Sequence, residues 1–132
     1  MNIIIDYEPT AKGMPRVKFL NGHTITYIPN KTKQAMESIY NIINNSCQVS
    51  FPPHTPLCLT VTFYRTKSKW LPKRETTPFR KSDLDNFIKC LLDSIPKSIV
   101  PDDAQYTSII AHKRWSTNGH GFINLSIEED IL

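Results

Sequence analysis

Residues 83–95 read D-L-D-N-F-I-K-C-L-L-D-S-I. Leu84, Phe87, Ile88, Leu91, Leu92 and Ile95 recur at i, i+3, i+4 and i+7, which predicts a helix with one apolar stripe. Asp85, Lys89 and Asp93 stand four residues apart on the opposite side. Ser82 or Asp83 is placed to cap the first turn, and Pro96 stops the helix. Cys90 flanks the stripe and is expected to pack. Upstream, Leu57, Leu59, Val61 and Phe63 alternate strictly with Cys58, Thr60, Thr62 and Tyr64, the pattern of a half-buried strand.

Outward from this pair, residues 2–8 carry Ile3, Ile4, Ile5 and Tyr7 and predict a mostly buried strand. Asn21-Gly22 and Asn118-Gly119 are turn pairs of the hairpin type. The first joins Arg16–Leu20 to His23–Ile28, and the second joins a strand from about Gln105 to Trp115 to the final strand. Residues 32–45 place Met36, Ile39, Ile42 and Ile43 at helical spacing, after which Pro52, Pro53 and Pro56 force a rigid loop. The elements follow the order β-β-β-α-β-α-β-β.

The chain has 132 residues, one domain's worth, so residues 1–132 are expected to form a single unit. With 39% hydrophobic and 21% charged residues it is neither a disordered tail nor a membrane protein. No apolar run approaches the roughly 20 residues of a membrane span, and the start has no basic flank of a signal peptide. The three cysteines, Cys47, Cys58 and Cys90, form no paired motif and argue against a disulfide scaffold or structural zinc. A reduced, cytoplasmic setting without membrane contact is expected.

The net charge of +4 hides a segregation. Residues 9–82 hold 12 basic residues against Glu37 and Glu75, whereas five of the seven aspartates fall between Asp83 and Asp103. Charge placed only for solubility mixes its signs and favours Glu on helices. A basic surround with a knot of aspartates suits a polyanion-binding protein that holds a hard cation. A solvated basic loop beside an unrelated acidic helix start explains the same charges. The basic stretch 65–81, R-T-K-S-K-W-L-P-K-R-E-T-T-P-F-R-K, mixes seven cations with Trp70 and Phe79. That mixture fits phosphates and exposed bases, although the ring of Trp70 itself is expected to pack back onto the core.

After Pro96, Pro101-Asp102-Asp103 leads into the next strand, where neighbouring residues point to opposite sides. At most one of the two aspartates then faces the helix start. If that one approaches Asp83 and Asp85, mutual repulsion calls for a cation among them. Carboxylates without imidazole or thiolate select Mg²⁺ or Mn²⁺ over zinc. A second cluster turned away from the first would leave only a basic binder.

With these residues in view, the chain resembles the RusA family of Holliday junction resolvases, the crossover junction endodeoxyribonucleases. The match is K-S-D-L-D-N-F-I-K-C-L-L-D-S, then P-D-D-A-Q, then Lys113, with P-T-A-K-G-M-P-R and T-Y-I-P-N-K-T nearer the N-terminus. Met14 stands where arginine is common and Ser82 where proline is common, which touches a phosphate contact and the start of the helix. The resemblance implies a small single α+β domain, a mixed β-sheet packed by two main helices.

It also implies that Asp83, Asp85 and Asp103 are catalytic carboxylates binding Mg²⁺, with Lys89 a catalytic lysine near the scissile phosphate and Asp102 the lesser of its pair. Asp93 is expected to anchor Lys89. Lys12, Arg16, Lys69, Lys73, Arg74, Arg80 and Lys81 are the candidate DNA contacts. The implied activity is Mg²⁺-dependent resolution of four-way DNA junctions by a homodimer. The alternatives are a non-catalytic basic nucleic-acid-binding protein and a metal-dependent nuclease for other branched DNA.

Overall fold

A computed structural model of the chain describes residues 1–131. Its elements are β1 (Asn2–Ile5), β2 (Arg16–Leu20), β3 (His23–Tyr27), α1 (Asn30–Ser46), β4 (Leu57–Arg65), α2 (Leu84–Leu92), β5 (Tyr106–Trp115) and β6 (Phe122–Glu129). This is the α+β order read from the sequence. Strands β1, β6, β4 and β5 lie side by side in that order, and β2 and β3 form a separate hairpin. The main sheet is mixed: β4 runs parallel to β5 and antiparallel to β6, while β1 is antiparallel to β6.

The strict alternation of β4 explains its central place. Leu57, Leu59, Val61 and Phe63 are buried and meet α1 through Ile39 and Ile43 and α2 through Phe87, Cys90 and Leu91 in one core. The tilted ring contact of Phe63 with Phe87, with centroids 5.4 Å apart, fixes the start of α2 over the end of β4. Burial pushes the Cys90 thiol up to about 11, so it packs as an unreactive side chain. Regular α-helix ends at Leu92, short of Ile95. Ser94 and Ile95 then donate to Leu91 and Leu92 in tighter turns, as Pro96 demands. No helix among the described residues is long and apolar enough to cross a membrane.

Two local expectations are corrected. Asn21 and Gly22 take positive φ, 50° and 76°, and close the β2–β3 hairpin as expected. Asn118-Gly119 is no hairpin turn, because β5 and β6 flank β4 on opposite sides and the connection crosses the end of β4. The backbone N–H of Ser116 donates to the Arg65 carbonyl (2.7 Å), and Asn118 Oδ1 accepts from His120 N (3.2 Å), which shapes this crossing. Trp70 does not pack back onto the core; it is 85% exposed. Its loop closes on itself, with Lys67 Nζ donating to the carbonyls of Pro72 (3.0 Å) and Glu75 (2.7 Å), and leaves the ring outside.

Candidate acidic site and nucleic-acid interface

The chain leaves β4 at Arg65 and enters α2 at Asp83, and two cations from the strand ends fix that approach. Arg65 continues the inward parity of β4, so its guanidinium lies over the Phe87 ring (5.6 Å) and the Trp115 ring (5.8 Å) while donating to the Lys81 carbonyl. Lys113, paired with Phe63 across the sheet, donates from Nζ to the carbonyls of Arg80 (3.1 Å) and Ser82 (2.9 Å). Burial and the neighbouring Arg65 charge lower its pKa, and Asp83 pulls the other way.

Neither Ser82 nor Asp83 caps α2 through its side chain. The Asp83 carbonyl accepts from Asn86 (3.1 Å) and Phe87 (3.3 Å), which leaves its exposed carboxylate free beside Lys113. Sequence reading placed Lys113 in the family pattern but gave it no role, and it passed over Arg65. The signal was strand parity, since Arg65 follows Leu57, Leu59, Val61 and Phe63 two by two.

On the outer side of α2, Lys89 Nζ lies 3.7 Å from Asp85, with both side chains more than half exposed. Asp93 pairs with Lys12 instead of Lys89, a correction to the expected anchor. The backbone of Lys12 also donates to the Asn86 carbonyl (2.9 Å), laying residues 12–15 along the helix. Beyond this strap a cleft of about 580 Å³ is lined by Arg16, Lys31, Arg65, Ser82 and Phe87 among others. Lys31 is a further cation that the sequence did not single out.

The D-D-A-Q segment divides its labour. Asp102 accepts from Ala104 N (2.9 Å), and Gln105 Oε1 accepts from Asp102 N (3.2 Å), a capping box around the turn Asp103–Gln105. Gln105, almost fully buried, also donates to the carbonyls of Pro52 (2.9 Å) and Thr55 (3.1 Å). It thereby holds the proline loop to the start of β5. Asp103 takes no part in the cap; its carboxylate meets Lys97 at 3.2 Å.

The expected convergence of three carboxylates is not found within one chain. Helix α2 returns the chain from the end of β4 to its start, so Asp83 sits by Lys113 and Asp103 precedes Tyr106 at the other end of β5. Tyr106 pairs with Leu57 and Lys113 with Phe63. The two ends are thus about 20 Å apart at roughly 3.3 Å per strand residue. Ligands to one Mg²⁺ lie roughly 2 Å from it. Among the described residues no three His, Cys, Asp or Glu side chains are gathered to hold a metal ion. Asp83, Asp85 and Asp103 of a single chain therefore do not fit one shared ion.

Of the candidate DNA contacts, Lys69, Lys73, Arg74, Arg80 and Lys81 are exposed on the 66–82 loop, and Arg16 is exposed at the start of β2. Lys69 lies over Trp70 (5.6 Å), and Arg80 lies over Phe79 (5.4 Å) while pairing with Glu75 (2.5 Å). Cations carried on exposed rings can meet both backbone and base.

A family model described as endodeoxyribonuclease RusA matches residues 6–126. The chain is also similar to a Bacillus subtilis (strain 168) protein, the uncharacterized protein YqaN. The two are 25% identical over 118 residues, which cover 83% of each chain.

Proposed function

Because the chain belongs to the RusA family of endodeoxyribonucleases, we propose that it resolves four-way (Holliday) DNA junctions by paired symmetric nicks, as a homodimer, in DNA recombination and repair. The observation that carries this reading is the start of α2. There Asp83 stands uncapped beside Lys113, with Asp85 and Lys89 on the next turn and the basic loop 66–82 leading in. Free carboxylates next to a basic loop support a reading in which that loop holds a phosphate chain beside them.

In this reading the catalytic carboxylates are Asp83 and Asp85 of one chain together with Asp103 of the other protomer of the homodimer, since within one chain Asp103 lies about 20 Å from the other two. Lys89, only 3.7 Å from Asp85 yet mostly exposed, swings from that partner to the scissile phosphate and offsets its developing charge. Lys12, Arg16, Lys69, Lys73, Arg74, Arg80 and Lys81 position the backbone without reading its sequence. Cleavage is proposed to require Mg²⁺, with Mn²⁺ able to replace it, since an all-oxygen donor set selects such ions.

The test is a synthetic four-way junction incubated with the pure protein, with and without Mg²⁺. Symmetric paired nicks only with the ion are expected. Asp85→Asn should abolish cutting while junction binding survives, and Lys89→Ala should cost roughly 100-fold in rate with little change in affinity. Cutting by Asp85→Asn at the parental rate would remove the active-site assignment. Binding without cleavage in Mg²⁺ would leave a basic nucleic-acid-binding protein, and cutting of flaps alone would shift the substrate to other branched DNA.

A further inference from the structure

We propose that the cleft between the start of α1 and the start of α2 is a phosphate subsite. In it the Thr32 hydroxyl, the first amides of α1 and the side chains of Arg16 and Lys31 hold one internal phosphodiester group of a DNA strand. That this strand is the one being cut rests on the nuclease reading above; the anion site stands on the residues themselves.

The segment T-Y-I-P-N-K-T leads into α1, and Pro29, with no polar side chain, leaves the helix uncapped. Thr32 and Lys33 donate their backbone N–H groups to the Pro29 carbonyl (3.0 and 3.1 Å). Those of Asn30 and Lys31 precede the first bond and have no partner within the helix. A helix start is the positive end of the peptide dipole and favours acids. Here the first turn holds no acid and carries Lys31 and Lys33 instead. From Pro9 to Met36 the chain has Lys12, Arg16, Lys18, Lys31 and Lys33 and no acidic residue. Positive charge gathers at this end with nothing to balance it until an anion joins the free amides.

Thr32 gives a second, independent sign. It lines the cleft and is only 6% exposed, yet its hydroxyl takes part in no hydrogen bond among the described residues. The polar side-chain atoms sealed away there without a partner are Tyr106 Oη and Trp115 Nε1. The Thr32 hydroxyl is not one of them, so it opens into the cleft. A buried hydroxyl without a protein partner is costly, and a phosphate oxygen would accept from it. Glu8 is the one acid on the cleft wall, and its two oxygens already accept from the Thr66 N–H (3.1 Å) and hydroxyl (3.0 Å). Arg16 and Lys31 are exposed and join no ion pair among the described residues. Ser82 and Phe87, on either side of Asp83, line the same cleft. A strand that passes Asp83 therefore continues into it, and a continuing strand presents a diester there rather than a terminal phosphate.

Amide NMR spectra of the full chain titrated with inorganic phosphate should move Asn30, Lys31 and Thr32 to saturation. The thymidine dinucleotide diester should move the same amides, and its uncharged methylphosphonate analogue should not. Thr32→Val should weaken phosphate binding about tenfold, the worth of one hydrogen bond to a charged group. It should melt no lower than the parent, because the lost hydroxyl serves no protein group. Lys31→Met, on the surface, should also weaken binding with the melting curve unchanged. On a junction, a single methylphosphonate is moved one position at a time along the cut strand. The parent should lose cleavage at a second position besides the scissile phosphate, and Thr32→Val should be indifferent to the replacement there. Amides 30–32 that phosphate leaves unmoved would overturn the site, as would a Thr32→Val chain that binds phosphate like the parent. A response to phosphate and thymidine 5′-monophosphate but not to the diester would overturn the passing strand in favour of a terminal phosphate. If the parent cuts no junction, the nuclease reading fails, and the titrations still decide the subsite.

Discussion

At the residue scale, single side chains settle where the motif residues are free to act. Asp130 accepts from the hydroxyls of Thr107 (2.6 Å) and Ser108 (2.9 Å), which pins the irregular start of β5. The Thr107 bond first, then the Ser108 bond, hold its carboxyl below the ordinary value of 3.8. The stabilisation from this depressed carboxyl is therefore present above pH 3.8 and lost as pH falls through the lower folded value. Asp130→Asn should melt below the parent at neutral pH, and the gap should shrink under acid; thermal melts across that range check it. The D-D-A-Q segment was legible as a motif, but its division between capping Asp102, anchoring Gln105 and uncapped Asp103 was not. Those roles depend on the carbonyls of Pro52 and Thr55, some fifty positions away. Likewise Asp93 looked like a partner for Lys89 because helical spacing offers one, yet Lys12 comes from far along the chain and takes it.

At the element scale, legibility follows one-sided burial. Strand β4 and helix α2 announced themselves because each buries one face, so apolar spacing recorded their geometry directly. Leu91, fully buried in that face, should cost about 2–5 kcal/mol as Leu91→Ala, measured by denaturant unfolding. Strand order is a different kind of information. Asn118-Gly119 encodes a reversal, and Gly119 does take a φ of 89°, but a turn does not choose which strand lies alongside. The central place of β4, apolar along its whole inner face, draws β5 to one side and β6 to the other. The missed position of Trp70 has a similar cause: apolar character was visible, but the carbonyls that close its loop around Lys67 were not.

At the scale of the whole molecule, the segregated charge becomes a surface with a basic loop, a basic cleft and two acidic points. Binding to duplex DNA should weaken with salt, and each cation removed from the phosphate backbone should lower the log–log slope by about 0.9. Lys73→Ala with Arg74→Ala should thus flatten the slope by up to about twice that amount without altering the melting temperature; titrations at several salt concentrations check it. Among the described residues the β2–β3 hairpin pairs with no other strand and turns Val17 (63%) and Phe19 (76%) to solvent. Its amides should accordingly exchange with deuterium by local fraying, long before the sheet opens. That makes residues 17–27 a segment where length and sequence can drift, or be regrafted by design, while the scaffold that carries the acids stays as it is.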